Sequence, residues 1–436
     1  MSPEHQTFRR RRIVLTAIGS LGDLHPYMAL ALGLRARGHD AVVATSACYR
    51  EKVEASGLGF RLIRPDSAFV KDPAVMRRMM DSRWGTVRVG TEIVGPAMRE
   101  MYDDISAVSA GADLLVSHPL TAYATRLVSE VCGVPWASTM ITPLGFMSAY
   151  DFPIISVAPM ACGVMRQIGP TVSTPLIQMA KRATRFLARP WYRLRKQIGL
   201  PPVRDANPLL DSHSPRLVLA LFSPVLAAPK PDWPPHTITT GFPVYDHDDD
   251  AGGGGMSPDL MEFLDAGPPP IVFTLGCSAA MVGEGFFQAS IAAARLLGQR
   301  AVLIVGREAY TFPASLPDGM AAFPYAPFSQ LFPRAAAIVH PAGIGTTGLA
   351  MHSGRPSLVV PFAHDQHDNA ARLVRLGLAR RIPRHRYTGS GVAAELRELL
   401  SDSRYTQQAS DVGIRVRQEY GVQAACDAME GLLSRP

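Results

Sequence analysis

At 436 residues the chain is long enough for about two domains of ordinary size, each able to bury a core. No apolar run reaches the roughly 18 residues that a membrane-spanning helix needs, and the five scattered cysteines form no CxxC pair, which argues against a structural zinc site and for reduced thiols in the cytoplasm. The formal charge of +7 comes without the aromatic interleaving of a single-strand nucleic-acid binder, so attraction to nucleotide phosphates or to an anionic membrane surface explains it more simply.

Arg9 to Arg12 before an apolar run imitate the start of an export signal, but Gly19, Gly22 and Asp23 interrupt that run early. The pattern therefore predicts a strand over 13–17, a turn, a helix over 24–37 closed by Gly38, and a strand over 41–45. Strand, helix and strand within about thirty residues make a βαβ unit and imply a parallel sheet. Further strands are predicted over 114–117 and 136–140, with a helix over 122–132 between them. Residues 146–195 are rich in methionine, proline and aromatics and end in a basic helix. There Leu176, Met179, Ala183, Phe186 and Leu187 recur opposite Lys181, Arg182, Arg185 and Arg189. Packing of that stripe on its own domain is the expected use; a membrane-surface or lipid-acceptor role is the alternative.

Residues 229–257 combine prolines, an acidic run and four consecutive glycines, a poor core and a good linker. A second α/β pattern follows, with strands over 271–274 and 301–305, and from Ser403 the chain reads as helical. The predicted class is α/β with two Rossmann-like domains facing a cleft. The expected division is 1–240, a linker over 241–258, a second domain over 259–415, and a last segment over 416–436 that crosses back to the first domain.

The second domain holds the most informative stretch. An apolar run over 337–339 meets a turn with Gly343 and Gly345; Thr346 and Thr347 follow, and a helical pattern runs to Gly354. Another apolar run over 358–360 ends at Pro361, and Asp365 and Gln366 open the next helix. Strand, glycine turn and helix expose backbone N–H groups and a helix N-terminus, a seat for an anion. A carboxylate and an amide on the next strand tip suit polyhydroxylated matter, so a nucleotide-sugar site is expected. The glycines alone would also fit a plain tight turn.

The segments 239–243 (TTGFP), 273–276 (FTLG), 325–328 (YAPF), 343–347 (GIGTT), 363–366 (AHDQ) and 368–372 (DNAAR) fall in the order found in one family. Together they resemble the nucleotide-sugar-dependent glycosyltransferases of GT-B architecture, family 1 type, among them bacterial rhamnosyltransferases and the macrolide and sterol glycosyltransferases. The resemblance implies an inverting, metal-independent transfer, with no cofactor, from a UDP- or dTDP-sugar to a hydroxyl of a lipophilic natural product. It assigns Gly345, Thr346 and Thr347, with Gly343, to the donor's diphosphate, and Gly276 and Ser278 to the loop facing those phosphates. Tyr325, with Phe328 in the same segment, would cover the nucleobase, and Asp365 and Gln366 would hold sugar hydroxyls. In the first domain Gly22-Asp23 matches the turn carrying the family's base. Asp23 would then accept the acceptor's proton, with His118 conceivable as its partner. Phe146, Met147 and Tyr150 in the methionine-rich segment would form the acceptor wall.

Simpler roles stand beside these. Asp23 and Asp365 could each cap a helix, and Tyr325 could be core. Two positions depart from the family: Pro341 stands where a phosphate-binding histidine is expected, with His340 one residue earlier, and Leu349 stands where a ribose-binding Glu or Gln is expected. They motivate a second reading, a non-catalytic glycosyltransferase-like partner of another enzyme. An epimerase on the same architecture ranks last, and the sequence leaves the oligomeric state open.

Overall fold

The computed structural model describes residues 9–67, 72–203, 207–245, 255–279, 283, 285–306 and 316–434. The first sheet holds β1 (Arg12–Thr16), β2 (Asp40–Thr45), β3 (Gly59–Leu62), β4 (Leu114–Ser117), β5 (Trp136–Met140), β6 (Val218–Ala220) and β7 (Thr237–Thr239), in the order β3-β2-β1-β4-β5-β6-β7. The second holds β8 (Ile271–Thr274), β9 (Ala301–Ile304), β10 (Met320–Phe323), β11 (Ala337–His340), β12 (Ser357–Val359) and β13 (Ala379–Arg381), in the order β10-β9-β8-β11-β12-β13. Every pairing is parallel. Strands β4, β5, β8, β9 and β11 are buried along their whole length, as expected where helices cover both faces of a sheet. The strand order reverses direction between β1 and β4 in one sheet and between β8 and β11 in the other. In open α/β sheets ligands bind beyond the carboxyl ends of the strands at such points. The chain there carries the 18–23 turn, His118, Gly276 and the 340–345 turn.

Six helices place the site: α1 (Leu21–Ala36), α2 (Pro159–Ile168), α3 (Pro170–Ala183), α4 (Ile344–Ser353), α5 (Gln366–Arg375) and α6 (Gly421–Leu433). Helix α1 begins three residues earlier than the sequence pattern suggests, because Ser20 and Asp23 form a capping box that satisfies its first turn. Helix α6 lies on α1: Ala425, Cys426, Met429 and Leu432 share one core with β1 and α1. The approach is close at Gly33, where a Cβ would stand 2.5 Å from Val422 Cγ1. Arg37 donates to Glu430 at 2.7 Å, and His39 Nε2 lies 2.9 Å from Glu430 Oε1.

Two expectations are corrected here. Of the expected linker, Gly241 to Tyr245 are packed: Phe242 seats against Gly348 of α4, and Tyr245 joins the first domain's core. Residues 246–254 lie outside the described residues. On α3 the apolar stripe does not face the domain. Ser173, Ile177 and Lys181 turn inward, Lys181 reaches Asp211 at 2.5 Å, and Met179 is exposed. The inner face instead carries the Lys181–Asp211 ion pair.

Candidate functional site

Asp23 sits in the first turn of α1, just beyond β1. Both Ser20 donors converge on its Oδ2, the backbone N–H at 2.8 Å and the hydroxyl at 3.0 Å. Gly19 passes over this carboxylate with φ of 135°, and a Cβ there would collide with it. Only glycine adopts that backbone without strain. Burial pushes the Asp23 carboxyl up, against the Ser20 bonds that lower it. Asp23 therefore does cap its helix, and the cap fixes the orientation of the carboxylate.

The conceivable Asp23–His118 pair does not form. His118 is buried, and its Nδ1 accepts from the Leu120 N–H at 3.2 Å, so the ring proton sits on Nε2, which has no partner among the described residues. Burial, with the nearby His213, lowers this imidazole to about 4. It is a neutral donor with no free lone pair, unable to serve as a base. Between the two lies Tyr27, one turn after Asp23, whose hydroxyl lies 2.5 Å from Thr139 Oγ1.

In the second domain Gly343 is the N-cap of α4, and no side chain caps that helix. A Cβ at Gly343 or Gly345 would meet nothing within 4 Å, so the turn leaves open space beside both glycines. Thr346 is half-buried, and a Cβ at Gly276 would stand 3.5 Å from its Oγ1. The β8 turn thus faces the start of α4. Thr347 is fully buried, its Oγ1 unpartnered among the described residues. The side chain of Ser278 lies outside the described residues. His340 is corrected as a donor contact: it is fully buried, and its Nδ1 accepts from the Ala342 N–H at 3.2 Å, bracing the turn from beneath while Ala342 takes φ of 67°. Pro341 is buried, and Leu349 packs beside the cluster around Leu260 and Phe332.

Asp365 does not cap its helix through its side chain. Its Oδ2 accepts from Asn369 Nδ2 at 2.7 Å, and the same nitrogen donates to the Ala342 carbonyl at 3.0 Å. Burial pushes the Asp365 carboxyl up to about 7; the Asn369 bond opposes this and the charge of Asp23 adds to it. Asp23 and Asp365 come from different domains, so the two carboxylates stand on facing edges of the cleft. Gln366 Oε1 accepts from the Phe362 and Ala363 N–H groups at 2.8 and 3.2 Å, which leaves its NH2 group to donate.

Of the acceptor residues, Phe146 is corrected. It is buried and stacks on Trp233 at 4.1 Å, inside the first domain's ring cluster. Met147 is half-buried and Tyr150 exposed. Tyr325 is half-buried just after β10, and Phe328 stacks on Phe332 at 4.5 Å, a packing role. Gly22 is half-buried in the first turn of α1.

Sequence reasoning missed the junction between the domains. Asp368 and Arg372, one turn apart on α5, are fully buried. Asp368 accepts from the Ile154 N–H at 2.9 Å and from Arg166 at 2.8 Å, while Arg372 pairs with both Asp368 and Asp151. Burial would raise the Asp151 carboxyl, but Arg372 and Arg375 outweigh it and hold it low. Thr142 donates to Asn369 at 3.3 Å, and Thr86 Oγ1 lies 2.9 Å from His364 Nδ1. The DNAAR run contained this signal, since i, i+4 Asp and Arg inside an apolar pattern call for partners from elsewhere.

Residues 13–99 match the glycosyltransferase family 28 N-terminal domain, and residues 291–421 match the C-terminal domain described as erythromycin biosynthesis protein CIII-like. The chain is 34% identical over 436 residues to the O-mycaminosyltylonolide 6-deoxyallosyltransferase of Streptomyces fradiae, covering 96% of this chain and 97% of that one. It is 28% identical over 378 residues to the vancomycin aglycone glucosyltransferase of Amycolatopsis orientalis, covering 84% of each. The glycosyltransferase VinC, solved in complex with dTDP, superposes with a TM-score of 0.67 at 18% identity, covering 98% of this chain and all of that one. With both Rossmann-like halves matched and one relative similar from end to end, the chain belongs to the GT-B glycosyltransferases of family 1 type.

Proposed function

We propose that the protein moves a hexose or deoxyhexose from a UDP- or dTDP-sugar to a hydroxyl of a lipophilic natural product, inverting the anomeric carbon without a metal ion. The observation that carries this reading is the helix N-terminus of α4, which no side chain caps and which the Gly276 turn faces at the carboxyl ends of β8 and β11. The donor's diphosphate sits on the first-turn amides of α4 and on Thr346, with Gly276 opposite. Asp365 and the amide of Gln366 hold sugar hydroxyls, and Met147 and Tyr150 line the acceptor side.

Asp23, raised by burial, is a stronger base than an exposed carboxylate. The acceptor oxygen forms its bond to the anomeric carbon as the bond from that carbon to the β-phosphate oxygen breaks. The electron pair leaves with the nucleoside diphosphate, stabilised by the α4 amides and dipole, and the acceptor proton passes to Asp23. The dTDP bound to VinC and the transferase names of the relatives support the donor and acceptor classes.

Pro341 and Leu349 offer no hydrogen bond to phosphate or ribose, which costs about 1.5–3 kcal/mol where a charge-assisted bond is lost. Weak nucleotide affinity is therefore expected. A non-catalytic partner role is not favoured, because the relatives matched along most or all of their length are transferases. The test is Asp23→Asn, with dTDP and UDP binding followed by calorimetry and transfer to an aglycone panel followed by mass. Binding should persist while transfer falls by about 100-fold or more. Retained transfer refutes the base, and absence of binding to the unmodified protein refutes the donor site.

A further inference from the structure

Residues 152–203 contain eight lysines and arginines and no aspartate or glutamate, so this one segment outweighs the +7 of the whole chain. Lys181, Arg166 and Arg195 are spent on Asp211, Asp368 and Glu130. Arg182, Arg185 and Arg189 are exposed and have no carboxylate partner among the described residues. The apolar side chains here are arranged by helical period. On α2, Cys162 is buried and Arg166 turns to the domain junction, which puts Met160, Val164 and Ile168 on the opposite side. Met160 is 86% exposed and Val164 59%. On α3 the inward residues Ser173, Ile177 and Lys181 leave Val172 and Met179 facing out, with Arg182 on the same side. Phe186, in the turn that follows, is 56% exposed.

We propose that the α2–α3 hairpin and the turn after it rest on an anionic lipid bilayer. The stripe of methionine, valine, isoleucine and phenylalanine enters the boundary between headgroups and acyl chains, and the exposed arginines, which no carboxylate neutralises among the described residues, meet lipid phosphates. Charge of one sign without any acid fits a uniformly anionic surface, and protruding side chains on convex helices fit a fluid one. A folded protein partner would instead need a matching concavity. Arg166 ties this hairpin to the α5 helix that carries Gln366, so docking would set the cleft beside the phase in which a lipophilic acceptor dissolves.

The test is flotation of the full chain with vesicles of phosphatidylcholine alone and with about 30% phosphatidylglycerol, and it reads binding independently of transfer chemistry. Binding to the anionic vesicles should be at least about tenfold tighter and weaken with salt. A Met160→Glu/Met179→Glu variant, with its melting temperature unchanged, should lose that binding by a similar factor. Absence of flotation with anionic vesicles, or undiminished flotation of the double variant, overturns the proposal. So does binding to soluble polyglutamate as tight as to the vesicles, which would mark the surface as a seat for an acidic protein.

Discussion

Asn369→Ala tests whether the site is tuned through a residue that touches no substrate. The Asn369 amide joins Asp365, the Ala342 carbonyl of the donor turn and Thr142 of the other domain. Its 2.7 Å bond to Asp365 favours the ionised carboxylate, and a hydrogen bond to a charged group is worth about 1.5–3 kcal/mol. At about 1.4 kcal/mol per pH unit, its removal should raise Asp365 by about one to two units. From about 7 in the intact protein it would then titrate at about 8–9. The ionised Asp365 accepts from a sugar hydroxyl more strongly than the neutral acid does, so the acid limb of kcat/KM for the donor should move to higher pH by that amount. The assay is the pH profile of kcat/KM at saturating acceptor, with dTDP affinity measured alongside. A uniform loss at every pH, with the limb unmoved, would show that Asn369 only supports the fold and would refute the reasoning.

Asp365→Asn should stabilise the protein above neutral pH. The folded carboxyl, raised to about 7 from 3.8 by burial, disfavours ionisation, so its cost grows as pH rises through that window; melting temperatures at pH 8 should favour the variant, and the advantage should shrink towards pH 5. Gly19→Ala meets both a left-handed backbone and the Asp23 carboxylate, a strain of about 1–3 kcal/mol, and should depress kcat far more than dTDP affinity as measured by calorimetry. Asp151→Ala strips Arg372 of one buried partner and should cost about 3–5 kcal/mol in urea unfolding; replacing Arg372 as well should recover part of that loss, and full additivity would deny their coupling.

Most of the parallel strands were legible because buried strands read as short β-branched runs between turns, as at 114–117 and 337–339. The donor turn was legible because glycine, helix start and a second strand tip recur in one order. Other features were not. Asp23 reads as the family's base with a helix cap as the simpler role, and the structure makes it part of a capping box that fixes its carboxylate. Phe146 reads as a cleft aromatic but stacks inward, since side-chain direction in an irregular loop follows no period. His340 lies one residue from its expected place and turns into the core. Lys181 shows the limit most clearly: periodicity assigns cations to the outside, yet Lys181 is turned inward to a half-buried acid from another segment, Asp211.

The seating of α6 on α1 bears on how the chain comes into being. The face of α1 that Met429 and Leu432 cover belongs to the same core as β1, so the first half of the molecule stays wet on one side until residues 421–433 have been synthesised. At about 5–20 residues per second that wait lasts many seconds on the ribosome. During it the second half can close around its own sheet, so the part that begins first is completed last.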